Sequence, residues 1–175
     1  KFSPNDKTIA SVSGDGKVGA YLVENKDVDK IMFTGSERTA RKIIKASEGN
    51  MARLTLECGG NDPAIVLPGT DIQSKAGDLF WGSFINMGQT CACAKRLYVH
   101  EDDYDQVVGA LDAVAGQMPM GNGMEEGIVL GPVQNKMQFD KVNDLVEDAK
   151  ANGASVIRGG SPMEGPGYFY PITLI

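Results

Sequence analysis

Two side chains have the type and setting to make and break an acyl bond. Cys91 lies in Gly88-Gln89-Thr90-Cys91-Ala92-Cys93, a run of small residues between a helical pattern and an apolar stretch. A cysteine thiolate is an intrinsically strong nucleophile, and loops at element ends are where catalytic side chains gather. On residue type alone, a cysteine buried as a small hydrophobe fits the same text. Glu57 closes the apolar run Leu54-Thr55-Leu56 and precedes Cys58-Gly59-Gly60. A carboxylate desolvated by apolar neighbours takes up a proton more readily, which suits a general base at neutral pH. The two glycines after it let a ligand come close to the backbone. A glutamate at a strand end pointing into water is the simpler alternative. Cys91 and Cys93 also form a Cys–x–Cys pair, but with His100 as the single, distant histidine this is a poor metal set, and no metal is expected.

Taken together the two stretches say more. Leu56-Glu57-Cys58-Gly59-Gly60-Asn61-Asp62-Pro63 resembles the glutamate motif of the NAD(P)-dependent aldehyde dehydrogenases, and Phe84-Ile85-Asn86-Met87-Gly88-Gln89-Thr90-Cys91 resembles that family's cysteine motif. Their order and separation are similar to the family's. Phe33-Thr34-Gly35-Ser36 resembles its strand-to-helix turn against the cofactor phosphates. Leu130-Gly131-Pro132 and Gly165-Pro166-Gly167-Tyr168-Phe169 resemble later landmarks, so the likeness runs from about Ser13 to Ile175.

The resemblance implies a mechanism. Cys91 attacks an aldehyde, hydride passes to NAD or NADP, and Glu57 activates the water that hydrolyses the thioester to a carboxylic acid. It implies cofactor contacts at Gly35, Ser36, Cys58 and Gly59, and more weakly at Gln138 and Lys141, which share a helix face. It implies the Cys91 N–H as one oxyanion donor, beside an Asn side chain that is neither Asn61 nor Asn86. Residues 1–58 then read as the C-terminal part of a cofactor-binding domain and 59–175 as the N-terminal part of a catalytic domain, three-layered in its complete form. The family's oligomerisation hairpin is absent, so a homo-oligomer is expected only of a longer form, and activity from this stretch alone is not expected. Two other readings stay open: a non-catalytic remnant that binds a partner, and a cysteine hydrolase, which lacks a histidine in any motif.

The elements that must position these groups follow from apolar periodicity. Strands are expected at residues 8–13, 30–34, 53–56, 64–67, 97–99, 155–157 and 168–174, with a Gly14-Asp15-Gly16 turn after the first. Helices are expected at 17–25, from a Ser36 cap to 49, from a Thr70 or Asp71 cap to about 88, at 103–118 and at 135–151. Ala40, Ile43 and Ile44 are expected to face inward, as are Tyr104, Val107, Val108, Leu111 and Val114. The alternation of strand and helix indicates an α/β fold with a largely parallel sheet. Cys58 is expected in a small apolar role and His100 in a structural one.

A chain of 175 residues, 42% apolar and 23% charged, can bury a sizeable core. Its net charge of −6 and lack of a basic stripe argue against nucleic acid. No apolar run is long enough to span a bilayer. Three cysteines without a disulfide spacing pattern suit a reducing compartment, and a cytoplasmic location is expected.

Overall fold

The structure, a computed structural model, describes residues 8–9 and 17–175. Along the chain it forms strand β1 (Thr8–Ile9), helix α1 (Lys17–Glu24), β2 (Lys30–Gly35), α2 (Glu37–Ala46), β3 (Arg53–Cys58), β4 (Asp62–Val66), α3 (Ile72–Phe84), β5 (Ala94–Val99), α4 (Tyr104–Ala115) and α5 (Lys136–Ala151). These fall into two units, Lys1–Gly60 and Asn61–Ile175. Residues 10–13 of the first expected strand and the turn after it lie outside the described residues.

In the first unit β1, β2 and β3 pair in parallel, in that order. Parallel neighbours need a crossover, and α1 and α2 supply them. Val23, Val28, Ile31 and Ile43 form the core, with Phe33, Leu54 and Leu56 packed on it. Helix α2 begins at the expected cap, where Ser36 Oγ accepts the Thr39 N–H at 3.2 Å. Ala40 and Ile43 face inward, but Ile44 is 52% exposed, because one further residue turns it about 100° away from Ile43. The Asn50 amide donates to the carbonyls of Val23 and Asn25 and accepts from the Ala52 N–H. That side chain ties the end of α1 to the approach to β3.

In the second unit β4 and β5 are parallel neighbours joined through α3. Its core contains Val66, Ile72, Ala76, Phe80, Val107, Leu111, Leu130 and Ile172. Phe80 is wholly buried, stacked on Phe84 and edge-on to Trp81, each at 5.2 Å between ring centres. Helix α4 turns Val107, Ala110, Leu111 and Ala115 inward, while Tyr104 at its first turn is half exposed. Helices α3 and α5 are capped by Asp71 and Asn135 through the N–H groups of Ser74 and Gln138.

Two expectations about the elements themselves also fail. Helix α3 stops at Phe84 rather than near Gly88, because Asn86, Met87 and Gly88 take φ of 51°, 59° and 72°. Left-handed residues cannot continue a right-handed helix. The two closing strands do not form. A single antiparallel bridge, Arg158 with Leu174, joins the stretch after 155–157 to 168–174. Gly159, Gly160, Gly165 and Gly167 all take positive φ, and Pro171 has no N–H to place in a ladder.

Candidate active site

In the first unit the expected cofactor residues gather at the carboxyl ends of β2 and β3. The register pairs Thr34 with Glu57 and Gly35 with Cys58, so Gly35, Ser36, Glu57, Cys58 and Gly59 sit along one sheet end. In open α/β sheets that is the end at which ligands bind. Helix α2 starts there, and its first N–H groups have no partner one turn earlier, which makes an electropositive terminus. Glu37 sits in that first turn, but Arg41 engages its carboxylate at 2.6 and 2.9 Å. A Cβ on Gly59 would meet nothing within 4 Å, so the backbone there is open to approach. Gly35 differs: the space of its missing side chain is taken by the Phe33 ring, whose Cζ a Cβ would meet at 2.5 Å.

The desolvation expected of Glu57 is absent, since its side chain is exposed. Strand alternation explains this. Leu54 and Leu56 turn to the core, while Arg53, Thr55 and Glu57 turn to the opposite face. Its apolar neighbours in sequence are on the wrong side to dry it. Cys58, expected to be a small apolar filler, is also exposed.

In the second unit Cys91 is exposed in a turn between the left-handed residues and β5. Three features hold that turn. The Cys93 N–H donates to the Thr90 carbonyl at 3.2 Å and closes it. Gln89 ties it to the chain ahead of α5: its Nε2 donates to the carbonyls of Asn86 and Pro132, both at 3.2 Å, and its Oε1 accepts the Gln134 N–H at 2.8 Å. Lys95 reaches back from β5, its Nζ donating to the carbonyls of Thr90 at 2.8 Å and Cys93 at 3.3 Å. Cys93 is buried, with its thiol toward the Ile85 carbonyl at 3.7 Å. Cys91 therefore follows not the end of an α-helix but six residues of tighter, irregular chain, so a helix dipole does not bear on it directly.

Gln138 and Lys141 share a face of α5, Gln138 half-buried and Lys141 exposed. His100 caps the short turn before α4, its Nδ1 accepting the Asp102 N–H at 3.3 Å, which is structural. Gln89 and Lys95 carry geometry that sequence reasoning left unassigned. The one signal near Lys95 was Pro63 on the neighbouring strand, since a proline within a strand marks an edge or a bulge.

The aldehyde dehydrogenase family model matches residues 5–175, about eight residues nearer the start than the likeness read from the sequence. A probable aldehyde dehydrogenase of a Pseudomonas species is 38% identical over 95% of this chain and 34% of its own length. An NADP+-dependent D-glyceraldehyde dehydrogenase of Thermoplasma acidophilum is 36% identical over 94% of this chain and 34% of its own. The NAD+ complex of an aldehyde dehydrogenase from Bacillus cereus superposes with a TM-score of 0.83 at 37% identity, covering 89% of this chain and 32% of that one. The chain thus spans about a third of the length of these relatives. With motifs, parallel βα topology and matched length in agreement, this chain belongs to the aldehyde dehydrogenase family.

Proposed function

We propose that the chain carries the chemical centre of an enzyme that oxidises an aldehyde to a carboxylic acid with NAD+ or NADP+. The observation that carries this is the Cys91 thiol, exposed on a turn whose backbone is fixed on both sides while the neighbouring Cys93 is buried away. A nucleophile needs that combination of access and positional control.

Each residue then has a task. The Cys91 sulfur adds to the aldehyde carbon, forming the C–S bond and moving the carbonyl π pair onto oxygen. The Cys91 N–H donates to that oxygen. Once the thioester exists, Glu57 takes a proton from the attacking water, the C–S bond breaks and the acid leaves. Its exposed place at the end of β3 keeps it within reach of water. The dinucleotide, when bound, supplies the hydride acceptor. The residues present suit it: the α2 terminus with Gly35 and Ser36 fits a phosphate, and the exposed Cys58 with the open backbone at Gly59 fits a flat ring. Gln138 and Lys141 offer donors for ribose hydroxyls. The three free thiols suit a reducing compartment such as the cytoplasm.

The test is turnover of the intact protein with NAD+ or NADP+ over a panel of aliphatic and aromatic aldehydes. Cys91→Ala should abolish NAD(P)H formation. Glu57→Gln should leave about one equivalent formed per active site and then stop, because acylation proceeds and hydrolysis does not. Undiminished steady turnover in either variant would refute the assignment of that residue.

A further inference from the structure

We propose that Lys95 is a positioning residue for the proposed acylation, holding the Thr90–Cys91 peptide so that its N–H is free to receive the oxyanion. The inference rests on the reading of Cys91 as nucleophile and adds a part to it.

The geometry is that of one peptide plane. In a trans peptide the carbonyl and the following N–H point in opposite directions, so fixing one aims the other. The Thr90 carbonyl is held twice, by the Cys93 N–H at 3.2 Å and by Lys95 Nζ at 2.8 Å. The same ammonium takes the Cys93 carbonyl at 3.3 Å, so it spans the turn from one end to the other. The Cys91 N–H consequently faces away from Lys95, and it donates to no atom among the described residues. It is left available for a substrate oxygen. Were the plane to rotate by half a turn, a carbonyl would face the developing negative charge in place of a donor.

A second feature explains how a strand residue reaches back over the turn before it. Asp62 pairs with Ala94 but Pro63 pairs with Arg96, so Lys95 is the extra residue of a bulge. Strict alternation would put Lys95 on the face of Leu97 and Val99, which pack on the core. The bulge releases it from that face, and bulges beside active sites commonly re-aim a side chain in this way. Pro63, which has no N–H to give a ladder, sits at that step. Arg96, next along, donates from Nε to the Asn61 carbonyl at 2.8 Å and secures the other edge of the irregularity.

The experiment compares Lys95→Met and Lys95→Arg with the parent in the intact enzyme. It measures kcat and KM with the best aldehyde of the panel, and the rate at which iodoacetamide alkylates Cys91, followed by mass spectrometry of the Cys91 peptide. Removing an oxyanion donor outright costs on the order of a hundredfold or more in kcat. Loosening its orientation while the Cys93 N–H still closes the turn should lower kcat roughly tenfold, with KM within about twofold. Alkylation displaces iodide from a saturated carbon and needs no oxyanion donor, so its rate should stay within about twofold. Lys95→Arg keeps donors for both carbonyls and should recover most of the kcat. Parent-like turnover in Lys95→Met overturns the proposal, as does a parallel fall of turnover and alkylation, which marks a merely disordered turn. Failure of the underlying reading looks different, because Cys91→Ala would then still turn over.

Discussion

Tyr170→Phe should make this protein more stable, against the usual direction of that substitution. Tyr170 is 2% exposed, packed with Val133 and Val146 and edge-on to Phe139 at 5.9 Å. Its hydroxyl is the one buried side-chain polar atom without a hydrogen-bond partner among the described residues. A buried hydroxyl with a partner contributes about 1 kcal/mol, whereas one without a partner costs roughly 1–3 kcal/mol in lost hydration. Phenylalanine keeps the ring, its apolar area and its contact with Phe139, and discards only the oxygen. The expected change is a gain of about 1 kcal/mol at pH 7, or about 2–4 °C in Tm for a domain of this size. The gain should grow in alkali. Burial pushes the Tyr170 phenol above its ordinary value; Lys150 opposes that shift and Glu147 adds to it. Between the unfolded and folded values the native state holds the extra proton, so parent stability falls as pH rises past about 10. Phenylalanine has no such loss. Thermal unfolding of the intact parent and variant at pH 7 and near pH 10.5 measures both effects. A variant melting several degrees below the parent at pH 7 would show that the hydroxyl is bonded, and the reasoning would fall.

Two further outcomes follow from packing. Phe80→Ala removes a wholly buried ring from the contact between α3 and α4 and should destabilise by about 3–5 kcal/mol, read by urea unfolding; a loss below about 1 kcal/mol would refute its place at the core. Gly159→Ala should destabilise by more than about 1 kcal/mol, because at φ 68° its Cβ would overlap the Ile172 carbonyl and lie 2.6 Å from Thr173 Oγ1; a parent-like Tm would show that the closing loop is free to shift.

The order of strands and helices as far as α5, the cap at Ser36, that at Asp71 as one of two candidates, and the reading of Glu57 and Cys91 as a motif pair were legible in the residues alone. These depend on contacts a few positions apart in the chain: apolar periodicity, a side-chain oxygen reaching an N–H three residues on, fixed local text. What tertiary structure decided lies at longer range. Whether Glu57 was dry turned on which face of β3 its leucine neighbours took, and they took the other one. The closing strands were lost because neither segment found a ladder partner beyond a single bridge. Gln89 reaches Pro132 and Gln134 more than forty residues away, and no local pattern announces such a bond. Lys95 is one more charged residue in the text of β5. It reaches the turn that carries Cys91 because the register between β4 and β5 slips by one residue between Asp62 and Pro63, and the resulting bulge lets the side chain turn back toward the Thr90 carbonyl.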